Sequence, residues 1–194
     1  GRVIVGRDGL LSTPAASNVI RKYQAFGGIV LSASHNPGGP DGDFGIKYNA
    51  GNGGPAPEKI TDVIFARTKS IASYKISNAA APELSKVGTS QLDGMTIDVI
   101  DPVADYAALM QQLFDFDAIR DLFKSGFRMR FDAMSAITGP YGTAILEGML
   151  GAPTGTVVNG TPLPDFGGHH PDPNLVHAKE LHDLLMSKDA PDLG

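Results

Sequence analysis

Ser34 stands where an apolar run, Gly28 to Leu31, gives way to a turn rich in glycine and proline, Ser32-Ala33-Ser34-His35-Asn36-Pro37-Gly38-Gly39-Pro40. The run reads as a short buried strand, so the Ser34 hydroxyl emerges at a strand end, where it can meet a ligand. Gly38 and Gly39 let backbone N–H groups crowd around an anion, because glycine accepts the backbone angles that such a cradle needs. His35 and, further on, Lys47 supply protonated nitrogen nearby in the sequence. Together these groups suit a serine that carries a phosphoryl group. Phosphoryl transfer asks for alignment and charge neutralisation more than for elaborate covalent machinery. A phosphoserine brings about −1.5 to −2 charges at neutral pH and therefore calls for cationic partners.

Other constellations are weaker. Ser34 and His35 make a poor hydrolase dyad, since consecutive extended residues point apart and no Gly-x-Ser-x-Gly elbow surrounds the serine. His177 and His182 miss the four-residue spacing that puts two metal ligands on one helix face. Asp41-Gly42-Asp43 begins like a calcium loop, but Asn52 stands where that loop needs glutamate. Asp115-Phe116-Asp117 reads as a helix start. Asn159-Gly160-Thr161 matches a glycosylation sequon and reads as a polar turn.

These groups need a scaffold, and the pattern of apolar residues supplies an alternating α/β one. Arg2 to Gly6 reads as a strand; Thr13 then caps a helix with Pro14 at its first position, and Gly27 stops it. Residues 28–33 lead into the serine loop. Residues 44–49 form a second extended piece, with Lys47 and Asn49 on one face and Ile46 and Tyr48 on the other. A helix is expected over residues 58–72 and an irregular connection over 73–94. Beyond it come a strand at 95–101, helices at 103–113 and 118–124, a strand at 127–132, a helix at 140–150 and a strand at 156–159. The last expected element is an amphipathic helix over 175–188 capped by Asn174. Strands separated by helices imply parallel βαβ units.

Composition sets limits. With 194 residues, 42% of them hydrophobic and 19% charged, the chain has room for a packed core. A net charge of −5 without a basic block argues against a nucleic-acid partner. Cysteine is absent, so disulfide and thiol chemistry cannot operate, in keeping with a reducing cytoplasm. No run of about 18 apolar residues could span a membrane.

The serine loop resembles the active-site loop of the phosphohexomutase superfamily, usually Thr-Ala-Ser-His-Asn-Pro-Gly-Gly. Its continuation, Pro40-Asp41-Gly42-Asp43-Phe44-Gly45-Ile46-Lys47-Tyr48-Asn49 and then Asn52-Gly53-Gly54-Pro55-Ala56-Pro57, looks like the phosphoglucomutase branch. Ile119 to Leu122, Asp132-Ala133-Met134, Gly139-Pro140-Tyr141 and Asp165-Phe166-Gly167-Gly168-His169-His170-Pro171-Asp172-Pro173-Asn174 fit that branch in the same order. The resemblance implies an α/β fold of two consecutive α/β/α units with mixed, largely parallel sheets. Residues 1–94 would be the C-terminal part of domain I with its linker, and 95–194 domain II, ending before the family's Asp-Gly-Asp-Gly-Asp metal loop.

The resemblance also implies a chemistry. Ser34 would carry the phosphoryl group, with His35 and Lys47 as its catalytic companions and Lys47 the acid or base. The reaction would interconvert glucose 1-phosphate and glucose 6-phosphate through glucose 1,6-bisphosphate, which also serves as activator. Mg2+ would be needed, and of its ligands this chain would provide only the phosphate on Ser34. Expected partners are small sugar phosphates, with no nucleic acid and no membrane, in the cytoplasm. The 194 residues alone are expected to be inactive, since the metal loop and the distal phosphate site lie in other parts of such an enzyme. Alternatives are a phosphomannomutase, a phosphoglucosamine mutase, or a non-catalytic relative in which Ser34 is a phosphorylation switch. His169 and His170 either face the cleft or cap the following helix. Two positions depart from the family pattern: Ser32 replaces threonine, and Ser135 stands where the branch commonly has histidine.

Overall fold

Arg2-Val3-Ile4-Val5-Gly6 is β-rich and forms strand β1 (Arg2–Gly6) in the computed structural model, which describes residues 1–37 and 39–194. The chain falls into two units, residues 1–30 with 46–105 and residues 31–45 with 106–194. In the first unit β1 lies parallel to a strand over Met95–Ile100, with Arg2 opposite Thr96 and Val5 opposite Val99. That strand pairs antiparallel with Gly88–Leu92 on its other side, Leu92 opposite Met95. Asp93 (φ 48) and Gly94 (φ 75) make the two-residue turn between them. Such a turn needs positive φ at both positions to match strand twist, which Asp-Gly supplies at low cost. A strand therefore occupies part of the stretch expected to be irregular. The strand from Met95, expected to open the second unit, lies with the first.

Helix α1 (Thr13–Lys22) has its cap one residue earlier than expected. The hydroxyl of Ser12, not Thr13, accepts from the Ala15 N–H at 3.3 Å, so Pro14 is the second helical residue. The helix ends where Gln24 turns to φ 51, ahead of the expected stop at Gly27. Gly27 instead opens β2 (Gly27–Leu31), which pairs with β3 (Ile46–Ala50). A Cβ on Gly28 would lie 2.7 Å from the Ile20 side chain, and one on Gly27 2.7 Å from the Asn49 carbonyl oxygen. The two glycines thus let α1 and β3 approach closely. Asn49 is buried with its amide donating to the Gly53 carbonyl (2.9 Å), while Ile46 is exposed, an inversion of the usual polarity. Helix α2 (Glu58–Thr68) stops four residues short of the expected end. The hairpin strands Gly88–Leu92 and Met95–Ile100 are β4 and β5.

Helix α3 (Ala104–Leu113) leads into the second unit. Its neighbour α4 (Phe116–Lys124) is capped by Asp115, whose carboxylate accepts from the Ala118 N–H at 3.0 Å, as the sequence implies. Phe116 and Phe123 bury one face of α4 against Leu150 and Ala152, with Ile119, Ile145 and Met149 around them. Strands β6 (Phe131–Asp132) and β7 (Val157–Val158) pair in parallel and are shorter than expected. Between them α5 (Gly139–Gly142) continues in wider π turns over Thr143–Met149. Helix α6 (Lys179–Leu185) is also shorter than expected. Asn174 caps a separate turn before it, its side chain accepting from the Val176 and His177 N–H groups at 2.9 and 3.1 Å. The fold is α/β with mixed, largely parallel sheets: β1–β5 and β6–β7 are parallel and β4–β5 antiparallel. No helix among the described residues is long and apolar enough to cross a membrane.

Candidate active site

The serine loop is a closed excursion from the end of β2 to the start of β3. At its base the Ser32 N–H donates to the Gly45 carbonyl at 2.9 Å. Gly45 is required there, since a Cβ would sit 2.1 Å from the Ser32 carbonyl oxygen. Inside the loop the Asn36 amide donates to Asp43 (2.7 Å), and the Asp43 N–H donates to the Pro37 carbonyl (3.1 Å). Asp43, part of the segment that begins like a calcium loop, thus works within the serine loop. Gly38, one of the two glycines expected to cradle an anion, lies outside the described residues, and Gly39 is at φ 107.

Ser34 itself is exposed and left-handed at φ 62. That conformation is costly for a residue with a side chain, so it persists only where surrounding bonds over-determine it. The Ser34 N–H donates to the Ser32 hydroxyl at 3.1 Å, and the Asn36 N–H closes the turn onto the Ala33 carbonyl at 3.2 Å. Because Ser34 is not extended, the expectation that it points away from His35 fails: its Oγ lies 3.4 Å from His35 Nδ1, a long, weak contact. Ser32, which stands where the family usually has threonine, thus holds the turn through its hydroxyl. Its signal was available, since serine two residues before a turn position commonly bonds the backbone ahead of it.

His170 comes to the same loop. Its Nε2 lies 2.8 Å from the His35 carbonyl, which can only accept, so Nε2 carries the proton. The His170 ring lies 4.2 Å from that of His177 at an interplanar angle of 36°. His169, His170 and Asp165 join Pro37 and Gly39 in lining a cleft of about 440 Å³. Both histidines line this cleft, and neither caps α6, whose N-cap is Ala178. His182 is elsewhere, beside Asp183 at 3.3 Å. Lys47 is an exposed residue of β3 and belongs to the first unit, whereas Ser34 and His35 belong to the second.

Residues 2–75 match the phosphoglucomutase/phosphomannomutase family, α/β/α domain I. The whole chain is 71% identical over 194 residues to a phosphoglucomutase of Rhizobium radiobacter, covering 100% of this chain and 36% of that protein. Residues 2–75 therefore belong to the phosphoglucomutase/phosphomannomutase domain I family. A phosphoglucomutase of Schizosaccharomyces pombe is 53% identical over 93% of the chain and 33% of its own length. The chain thus spans about a third of the length of the curated relatives it matches. Among solved structures, the exocytosis-sensitive phosphoprotein pp63/parafusin, a phosphoglucomutase from Paramecium in its open form, superposes with a TM-score of 0.87 at 41% identity. It covers 98% of this chain and 38% of that one. The fold alone is shared with a putative phosphomannomutase of Thermus thermophilus (TM-score 0.69, 22% identity, 94% of this chain and 36% of that one).

Within this family setting, Ser135 has a structural use. It is left-handed (φ 51), its N–H donates to the Asn159 carbonyl at 2.9 Å, and its carbonyl accepts from Leu163. Asn159, the sequon residue, is also left-handed (φ 50) and donates through its amide to Asp132 at 2.9 Å, the polar turn the sequence suggests.

Proposed function

We propose that the protein containing this chain is a phosphoglucomutase that interconverts glucose 1-phosphate and glucose 6-phosphate through a phosphoserine at Ser34. The observation that carries this reading is Ser34 itself: an exposed hydroxyl held in a strained left-handed turn, in a chain 71% identical to a phosphoglucomutase. Other residues of the chain are left-handed too, and what sets Ser34 apart is the exposed hydroxyl that its turn presents beside the His35 ring. In the proposed cycle the P–Oγ bond of phosphorylated Ser34 breaks as a bond forms from phosphorus to a sugar hydroxyl oxygen. The hydroxyl proton passes to Lys47. The resulting glucose 1,6-bisphosphate returns its other phosphoryl group to Ser34, and Lys47 gives the proton back to the oxygen that is released. His35, beside the Ser34 hydroxyl, is proposed to contact the phosphoryl oxygens.

The family resemblance brings Mg2+ with it, and the residues of this chain do not by themselves fit that ion. Among the described residues no three His, Asp or Glu side chains are grouped to hold a metal. The side chains nearest Ser34 include imidazoles, whereas Mg2+ demands a near-octahedral shell of oxygens. Carboxylate ligands are therefore proposed to come from outside these residues, with Ser34 contributing only its phosphate. Small sugar phosphates are the proposed partners and the cytoplasm the proposed compartment, supported by the absence of cysteine.

The test is incubation of the full-length protein with glucose 1,6-bisphosphate and Mg2+, followed by peptide mass mapping. One phosphoryl group at Ser34, together with glucose 6-phosphate formation lost in Ser34→Ala, is the expected result. A label elsewhere overturns the reading. Mannose 1-phosphate in parallel separates the phosphomannomutase alternative, and a phosphorylated but inactive protein would point to the switch. Lys47→Ala is expected to lower kcat by about 10²- to 10⁴-fold, the usual worth of a proton-transfer group, more than it raises KM. An unchanged kcat removes Lys47 from the mechanism.

A further inference from the structure

We infer that His170 is the positioning residue of the serine loop: its Nε2–H, donated to the His35 carbonyl, fixes where the Ser34 hydroxyl stands. The inference rests on the proposed role of Ser34 as phosphoryl carrier and adds a residue to that site.

The loop's hydrogen bonds fall into two kinds. Ser32 to Gly45, Ser34 to Ser32, Asn36 to Ala33, Asn36 to Asp43 and Asp43 to Pro37 all begin and end within residues 32–45. They give the loop its shape and hold Ser34 left-handed, but they move with the loop. The bond from His170 to the His35 carbonyl crosses 135 residues of sequence, and among the described residues it is the hydrogen bond that reaches residues 32–45 from outside them. It engages the residue immediately after Ser34. At 2.8 Å it is also short for a nitrogen donor.

The donor is itself held. The His177 ring, 4.2 Å away, limits rotation of the His170 ring, and the N–H groups of Val176 and His177 are tied to the Asn174 side chain. A chain of contacts therefore runs from a capped turn, through two tilted rings, to the peptide beside the proposed phosphoryl carrier. Placement matters for this chemistry because in-line transfer depends on it: a displacement of about 1 Å can cost about 100-fold in rate.

The test uses two variants of the full-length protein. His170→Phe keeps a flat ring against His177 and removes the donor, whereas His170→Gln restores an N–H at a comparable reach. Hydrogen exchange of the peptide covering residues 32–45 reads the loop; glucose 6-phosphate formation and the rate of Ser34 phosphorylation by glucose 1,6-bisphosphate read the chemistry. His170→Phe is expected to speed exchange in that peptide and to lower kcat by about 10- to 100-fold, from the lost hydrogen bond and the displaced serine, with KM changed by less than about 3-fold. His170→Gln is expected to recover most of both. Parent-like loop exchange in His170→Phe overturns the inference whatever the activity, as does equal impairment of both variants or a loss confined to KM. Failure of the unaltered protein to accept a phosphoryl group would instead overturn the reading of Ser34, while loop exchange would still decide the role of His170.

Discussion

Ser34 and the pair Met134-Ser135 all sit at positive φ (62, 53 and 51), yet the second unit restrains them by different means. Past the end of β6 the strained pair is cross-braced by other segments. The Asp132 carboxylate accepts both the Met134 N–H and the Asn159 amide at 2.9 Å, the Ser135 N–H bonds the Asn159 carbonyl, and the Leu163 N–H bonds the Ser135 carbonyl. Ala133 beside it is buried. The serine loop is largely exposed, and among the described residues its hydrogen bonds are internal apart from the one from His170. Strain inside a packed lattice is an element of the fold. Strain on a tethered loop can be altered with little effect on the rest, which suits the phosphoryl carrier proposed at Ser34.

Adding one methyl group to each place sets the contrast at its sharpest. A Cβ on Gly139 would meet the Gly160 carbonyl oxygen at 1.9 Å, backbone against backbone in the braced region. Gly139→Ala is therefore expected to cost about 3 kcal/mol of global stability, the upper range for overpacking, measured by denaturant unfolding. Gly45→Ala clashes as badly, with Ser32 at 2.1 Å. It should shift the unfolding midpoint far less while lowering Ser34 phosphorylation about tenfold or more, since loops absorb change locally. Equal global losses in the two variants would break the comparison.

Ser34 offers a finer test. Ser34→Gly removes the left-handed penalty, whereas Ser34→Ala retains it, so the glycine variant should be the more stable of the two by about 1 kcal/mol. Both should lose phosphorylation. Equal stabilities would show that the loop relaxes around residue 34 and stores no strain there.

The smallest effect belongs to the first unit, which serves as a reference outside the comparison. The Thr89 hydroxyl and the Arg2 guanidinium hold the Asp98 carboxyl below its ordinary value of 3.8. A carboxyl depressed in the folded state contributes stability that is complete above the unfolded value and is lost as pH falls through the lower folded one. The stability difference between the parent and Asp98→Asn should therefore shrink as pH drops below 3.8. A difference that stays constant across that range would remove Asp98 from the acid response.

The sequence announced where the serine loop lies, because glycine, proline and a strand end are local signals, but the strand before it, expected to be buried, exposes Ile29 and Leu31. It also announced β1 and the Asp115 cap, where a single side chain decides a single backbone group. The β4–β5 hairpin also carries a local signal, since Asp93-Gly94 is the dipeptide such turns favour, but the polar stretch ahead of it masks that signal and residues 73–94 read as irregular. Three features were not legible. The left-handed turn at Ser34 depends on bonds to Ser32 and Ala33 that compete with an extended chain. Burial of Asn49 beside an exposed Ile46 is a tertiary override of polarity. The meeting of His170 with His35 joins residues that no periodicity relates.

The parallel pairing of β1 with β5 also bears on how the protein is made. Arg2, at the start of one strand, bonds Asp98, 96 residues later, in the other. At a synthesis rate of about 5 to 20 residues per second, β1 waits on the order of 5 to 20 s on the ribosome for its partner to emerge. The hairpin needs no such delay, because Leu92 and Met95 close on each other within about 1 to 10 μs of becoming free. Among these three strands, assembly is thus scheduled from the later pair: β4 and β5 present a template, and β1, made earlier, joins it afterwards.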